Sequence, residues 1–180
     1  MNKAKGYKQV NIREIVLLSI LTALGVILSI IDKQISLLVF PFLPTAKIGL
    51  ANIIILIAVM NVDVKKGLLM TILKSTLVGL ILGSITSFII GGIASLLAFV
   101  GMTLTKVIFR HHVSCVGISV VGGFLHIIGQ LFVTFLMYQL GDAVFAYGAF
   151  LIGVSLFTSV LVGFIGNKLM DFMKTKDIFS

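Results

Sequence analysis

The segment between Lys66 and Lys106 is 39 residues long and carries a single charged side chain, that of Lys74. A bilayer core about 30 Å thick needs roughly 20 apolar residues per helical span, so this run suits two membrane helices and no soluble fold. The whole chain agrees, being 59% hydrophobic and 11% charged with a mean hydropathy of +1.22, whereas a soluble domain has about 25% charged residues. The sequence therefore predicts an all-α, polytopic membrane protein with a single transmembrane domain.

Six apolar stretches are predicted to span the bilayer, at about 15–31, 46–60, 67–85, 88–107, 114–139 and 144–167. The basic residues between them alternate in density. One side holds Lys3, Lys5, Lys8, Arg13, Lys65, Lys66, Lys106, Arg110, Lys168, Lys174 and Lys176, and the other side holds only Lys33 and Lys47. Basic loops stay in the cytoplasm, so both termini are predicted to be cytoplasmic. The net charge of +8 is then mostly topological and indicates no nucleic-acid partner.

Several kinds of chemistry find no support in the sequence. Cys115 is the single cysteine, which leaves no internal disulfide and no cysteine-based metal site. No phosphate-binding G-x-x-x-x-G-K-[ST] motif occurs. The polar face of the fifth span has one histidine, His126, and no carboxylate or thiolate, which falls short of the three or four ligands of a zinc site. We therefore predict neither a metal nor another cofactor.

Lys74 is the strongest pointer to a binding site. An ionisable side chain at membrane depth costs roughly 2.5–3.5 kcal/mol on insertion scales, so it usually faces a partner, a cavity or a ligand. Thr71 and Ser75 share its helix face at spacings of three and four. The six spans as bounded above contain no Asp or Glu, which makes an internal salt bridge improbable. An anionic ligand, or hydrogen bonding to His126 and Gln130, is then the favoured role, with snorkelling to water as the alternative.

Four further polar residues are candidate contacts for a substrate. His126 and Gln130 share one face of the fifth span with Gly122 and Gly129, which leave room for a backbone or a small molecule. Asn52 lies in the second span, where a buried amide requires partners. Lys47 is placed at the outer mouth of that span, where lysines ordinarily snorkel. Structural hydrogen bonding remains the alternative for His126 and Asn52.

Two other features have a structural and a functional interpretation. Ser19 and Ala23 are four residues apart on the first span, and small residues at this spacing allow close helix packing, either within the chain or against another membrane protein. The segment between the first two spans contains Pro41 and Pro44, which break helices, and an apolar, aromatic stretch at Phe40–Phe42. That stretch is either a lid over an outward-facing pocket or an interfacial anchor.

Four motifs carry a family resemblance: PTAKIGLAN in the second span, the buried basic residue of the third, GGIASLLAF in the fourth and GISVVGGFLHIIGQ in the fifth. Over nearly its whole length the chain resembles the Gx transporter family, often labelled heptaprenyl diphosphate synthase component I. That family is similar to the substrate-binding S components of energy-coupling factor (ECF) transporters, multi-pass proteins of the bacterial cell membrane. The basic position in the third span is commonly arginine in relatives, and Lys74 keeps the charge without the bidentate fork.

The resemblance implies a six-helix S component that captures a small-molecule substrate and works with a membrane T component and two cytoplasmic ATPases. S components typically meet the T component through an A-x-x-x-A pattern on helix 1, which Ser19 and Ala23 match in part. The older label implies a different role. The aspartates are not clustered as D-D-x-x-D, so catalysis is not expected, and the alternative is a non-catalytic membrane accessory subunit of a prenyl diphosphate synthase. A purely structural membrane scaffold is the third hypothesis.

Overall fold

The computed structural model describes residues 12–39, 47–138 and 143–176, with the side chains of residues 111 and 143–147 left aside. Six α-helices account for most of these residues. They are α1 (Ile12–Val39), α2 (Asn52–Asn61), α3 (Val64–Ile81), α4 (Ile85–Phe109), α5 (Cys115–Tyr138) and α6 (Ala143–Thr175). A short 3-10 turn (Arg110–His112) follows α4, and the described residues contain no β-strand. The predicted all-helical fold is confirmed.

Helix α2 is the centre of the bundle. It contacts each of the other five helices, which are neighbours of one another in the order α1, α3, α4, α5, α6. Its residues 54–59 are buried on every side, and Ile55, Leu56, Ile57 and Ala58 have no exposed surface at all. A helix that is apolar all round is stable only when it is surrounded, so the composition of α2 suits this central position.

Four helical segments are long and apolar enough to cross a bilayer, namely Ile12–Val39, Ile85–Phe109, Cys115–Tyr138 and Gly148–Thr175. The ten residues of α2 extend only about 15 Å, half of a bilayer core. Helix α3 has 18 residues but includes Lys65, Lys66 and Lys74. The chain is thus a helical membrane protein, while the count of six spans and the cytoplasmic termini stay predictions.

The end of α1 differs from the prediction. The first span was drawn to residue 31, but the helix continues to Val39, because the polar residues Asp32 and Ser36 fall on its inner face and do not interrupt it. Asp32 is only 1% exposed and lies inside the bundle. The expectation that the spans contain no acidic residue was therefore wrong. The first part of the predicted loop, residues 32–39, is therefore helical, and residues 40–46 lie outside the described part of the chain.

Small residues bring α5 and α6 together. Ser119 Oγ donates to the Ser159 carbonyl at 2.7 Å, and Ser155 Oγ donates to the Gly123 carbonyl at 3.1 Å. A Cβ at Gly163 would lie 2.6 Å from Val116 Cα, so the two backbones are in close contact there. The small residues of α6 therefore serve packing against α5 within the chain.

Candidate functional site

A non-helical segment, Lys47–Ala51, enters the bundle between α1 and α2, and Asp32 holds it in place. The two carboxylate oxygens of Asp32 accept hydrogen bonds from the backbone N–H groups of Ile48, at 3.1 Å, and Gly49, at 2.9 Å. Gly49 has a φ of +96°, a conformation that suits glycine. Irregular backbone inside a membrane protein needs such internal partners, because no water is available in the lipid to replace them.

Two hydroxyl groups complete this anchorage. Ser36 Oγ accepts a second hydrogen bond from the Ile48 N–H at 3.1 Å. Thr158 Oγ1, on α6, donates to the Ile48 carbonyl at 3.0 Å. The segment is thus fixed from α1 on one side and α6 on the other, and the position of the preceding side chain, Lys47, follows from it.

Lys47 points into the protein. A Cβ at Gly91 of α4 would lie only 2.7 Å from Lys47 Nζ, so the ammonium group rests directly against the glycine. The side chain interacts electrostatically with Asp32 and with Lys33. The side chain is half-buried and directed toward Gly91, whereas the ordinary alternative for a lysine at the outer mouth of a helix was snorkelling to water. Its location at the outer mouth of the second span stays a prediction.

Lys74 is more deeply buried than Lys47, with 3% of its surface exposed. Its Nζ donates to Ser95 Oγ of α4 at 3.1 Å, and its aliphatic stem packs against Gly25 of α1, where a Cβ would be 3.1 Å from Lys74 Cδ. Asp32 interacts electrostatically with both Lys74 and Lys47. An acidic group is therefore present near the lysine, contrary to prediction, although both of its oxygens already bond to backbone N–H groups.

The two lysines share a small polar cavity. Its wall consists of Val78 and seven small or basic residues: Lys47, Lys74, Ser29, Ser75, Ser87, Ser95 and Gly91. The volume is about 10 Å³, which is about what one water molecule requires. Lys33 closes the arrangement by donating from its Nζ to Ser87 Oγ at 3.1 Å. We call these residues, with Asp32, the lysine–serine cluster.

The three remaining predicted contacts are also interior residues, and His126 interacts electrostatically with Lys74 and Lys47. Asn52, His126 and Gln130 are buried, with 3%, 5% and 2% of their surfaces exposed, but none of them lines the cavity. The His126 ring hydrogen-bonds to the Ala94 backbone, while its Nδ1 has no hydrogen-bond partner among the described residues. Of the five predicted substrate contacts, Lys47 and Lys74 line this cavity, and Asn52, His126 and Gln130 do not.

The predicted docking residues are on the surface. Ser19 and Ala23 are exposed and line an apolar groove of about 380 Å³ between α1 and α3, together with Leu69, Leu73 and Leu77. Ser19 Oγ donates to its own helix, to the Ile15 carbonyl at 2.9 Å. Neither residue is buried between helices of this chain, so both are available to a lipid or a partner helix.

Two predictions remain, the lid between the first two spans and the absence of a metal site. The suggested lid at Phe40–Phe42 lies outside the described residues. Within the described ranges, no group of three or more His, Cys, Asp or Glu side chains is arranged to hold a metal ion.

Sequence reasoning missed six polar or glycine members of the lysine–serine cluster: Asp32, Lys33, Ser29, Ser87, Ser95 and Gly91. The regular spacing of polar and small residues along α4 and α1 would have indicated all of these except Lys33. Ser87, Gly91 and Ser95 recur every four residues and so share one face of α4. Ser29, Asp32 and Ser36 recur at three and four residues on α1 in the same way.

The fold and this interior site define a helical, multi-pass membrane protein with a buried cluster of lysines and serines. The family described as heptaprenyl diphosphate synthase component I matches residues 21–169. This is most of the chain, which therefore belongs to that family, and the predicted family label is confirmed. No curated protein and no solved structure shows significant similarity to it.

Proposed function

We propose that this protein is the substrate-binding S component of an ECF-type importer in the bacterial cell membrane, and that it takes up a small anionic metabolite. It would not be an enzyme itself. One observation carries the proposal: Lys47 and Lys74 converge on an interior cavity whose other polar groups are serine hydroxyls. Buried charges are costly unless they are paired, and a bound anion is a partner that both lysines can share.

Asp32 does not remove this need. Its oxygens accept hydrogen bonds from two backbone N–H groups. Within the described residues, the ion pair of the protein is the one between Lys66 and Glu14, which lies far from the cavity along α1 and α3. The carboxylate interacts with Lys47 and Lys74 and balances one of these two positive charges, and Lys33 adds a third positive charge beside Lys47. The site therefore favours an anion over a cation.

The surface groove is consistent with assembly. An S component needs a face for its membrane T component, and two cytoplasmic ATPases supply the energy. Small residues permit close approach of helices in lipid, where packing drives association. Ser19 and Ala23 expose such a patch on α1, and we propose it as the T-component contact.

Affinity purification from the native membrane tests the transport assignment. We expect a T component and two ATPases to copurify with the wild-type protein and to be lost from Ala23→Trp. Ala149→Trp is the matched control, because Ala149 is an exposed alanine in a different groove, between α5 and α6. Unchanged assembly in Ala23→Trp would remove the docking proposal, and absence of the ATPases from the wild type would remove the transport proposal.

The family description favours a second candidate, a non-catalytic membrane subunit beside a soluble prenyl diphosphate synthase. The same purification separates the two. A soluble synthase in place of the ATPases would support this second function, and the lysine–serine cluster would then bind an anionic product or substrate of that synthase.

A further inference from the structure

The lysine–serine cluster also contains information about which anion it binds. We propose that its ligand carries a phosphoryl group, a tetrahedral dianion, and not a carboxylate. This inference rests on the proposed anion-binding function and makes it more specific. It is supported by the charge of the cluster, by the kind and number of its donors, and by the way they surround the cavity.

The first argument is charge. With every group ionised, Lys33, Lys47 and Lys74 contribute three positive charges and Asp32 one negative charge, which leaves an excess of two. A carboxylate would neutralise half of that excess. A phosphate monoester carries about −1.5 to −2 at pH 7 and would neutralise nearly all of it. In an interior of low polarity, the better-balanced ligand is favoured.

The second argument is the number of donors. Each lysine ammonium has three N–H donors and each serine hydroxyl has one. Two of the wall serines already donate to their own helices, Ser29 to the Gly25 carbonyl and Ser75 to the Thr71 carbonyl, and one Lys74 donor goes to Ser95. Seven donors then remain for a ligand: three on Lys47, two on Lys74 and one each on Ser87 and Ser95. A carboxylate has two oxygens with about four lone-pair sites. A phosphoryl group has three terminal oxygens and accepts more of these donors without leaving hydroxyl groups unpaired.

The third argument is geometry. The wall groups come from α1 (Ser29), the anchored segment (Lys47), α3 (Lys74) and α4 (Ser87, Ser95), so they approach from several directions. Lysine is a compact point charge with three rotatable donors that can follow oxygens in different directions, whereas arginine presents a rigid planar fork suited to bidentate contact with a carboxylate or a phosphate. The described part of the wall has no arginine. A ligand with oxygens in three dimensions fits this arrangement better than a flat one.

The side chains that line the cavity, including both lysines, fill most of the space between the helices. Its volume of about 10 Å³ excludes a phosphoryl group, but Lys47 Nζ occupies the space beside Gly91, where no side chain stands. Both ammonium groups are the ends of flexible four-carbon stems. Their rotation around an entering anion would enlarge the cavity without displacement of a helix.

The test is thermal unfolding of the purified full-length protein in detergent, at matched ionic strength. The additives are inorganic phosphate, butyl phosphate, butyrate and phosphatidic acid in mixed micelles. A ligand that binds the folded state raises the unfolding temperature. We expect stabilisation by at least one of the three phosphoryl compounds and none by butyrate. Among these three, the compound effective at the lowest concentration identifies a free anion, a soluble ester or a lipid headgroup as the source.

The variants establish that the effect belongs to the cluster. Lys74→Met keeps the stem and removes the charge, and should raise the half-maximal concentration by about 10- to 150-fold, as expected for a lost charge-assisted hydrogen bond. Lys65→Met, at an exposed lysine on the same helix, should respond like the wild type. If Lys74→Met does not fold, Ser87→Ala provides a milder change, with a smaller expected loss.

The outcomes distinguish this inference from the proposed function. Equal or better stabilisation by butyrate would overturn the phosphoryl assignment and leave an anion-binding S component in place. Phosphoryl stabilisation that persists unchanged in Lys74→Met and Ser87→Ala would place the ligand elsewhere and overturn the inference. No stabilisation by any phosphoryl compound would also overturn it, whereas the transport assignment depends separately on copurification of the ATPases.

Discussion

The carboxylate of Asp32 lies 2.9 Å from the backbone nitrogen of Gly49 and so joins the inner face of α1 to a non-helical segment inside the bundle. This contact, more than any other, decides where Lys47 is placed. An aspartate that looks like a loop residue in the sequence is a structural anchor, and its residual charge also moderates the lysines beside it.

Asp32→Ala should destabilise the protein by about 1–3 kcal/mol, because the Gly49 N–H loses its acceptor inside the bundle. Ser36→Ala is the control and should cost less, since the Ile48 N–H keeps its bond to Asp32. Asp32→Asn should fall between them, with one oxygen retained. Denaturant unfolding in detergent measures all three. Equal stabilities for Asp32→Ala and Ser36→Ala would show that the anchor is unimportant.

Gly91→Ala should impair anion-dependent stabilisation while the protein stays folded. The new Cβ would lie 2.7 Å from Lys47 Nζ, and the flexible amine would have to leave the cavity wall. Gly92→Ala is a matched control with the same gain in helix propensity, because the nearest atom to its Cβ is Ser75 Cβ at 3.9 Å. Thermal shifts with phosphate and butyl phosphate should separate the variants. A normal shift in Gly91→Ala would argue against the position assigned to Lys47.

His126→Leu should leave the anion response unchanged and the unfolding temperature equal to or above that of the wild type. The imidazole does not line the cavity, although it interacts electrostatically with Lys74 and Lys47. Leucine loses the hydrogen bond of the ring to the Ala94 backbone, about 0.5–1.5 kcal/mol, but removes a buried Nδ1 that has no partner among the described residues, which costs about 1–3 kcal/mol. The thermal shifts of His126→Leu and Lys74→Met are to be compared directly. A comparable loss in both would return His126 to the site.

The predicted topology can be tested with two cysteines in a Cys115→Ser background. Gln34→Cys, on an exposed position near the end of α1, should react with an impermeant thiol reagent in intact cells. Lys65→Cys, exposed at the start of α3, should react only after the membrane is permeabilised. Labelling of both from outside would contradict a cytoplasmic location for the basic loops.

Part of the site could be predicted because burial of a charge is visible locally. Lys74 stands alone in a long apolar run, and that anomaly indicated a binding site without knowledge of its neighbours. The role of Asp32 could not be predicted in the same way. Its interpretation depended on where α1 ends, and a polar residue near the end of an apolar run has the same local pattern inside a helix and beyond it. The spacing of Ser87, Gly91 and Ser95 shows that they share one face of α4. It does not indicate a binding site, because serine is also common on membrane helices for packing alone.

The helical membrane fold and the membership of the heptaprenyl diphosphate synthase component I family follow from the sequence alone, because the long apolar runs suit membrane helices and the family match extends over residues 21–169. The tertiary structure was needed to show that Lys47 and Lys74 face one cavity, that Asp32 anchors the segment that carries Lys47, and that His126 is buried without lining that cavity. Those relationships arise from which helix faces which across the bundle. Hydrophobic periodicity shows which face of a helix is buried, but it does not show the neighbour against which that face is packed.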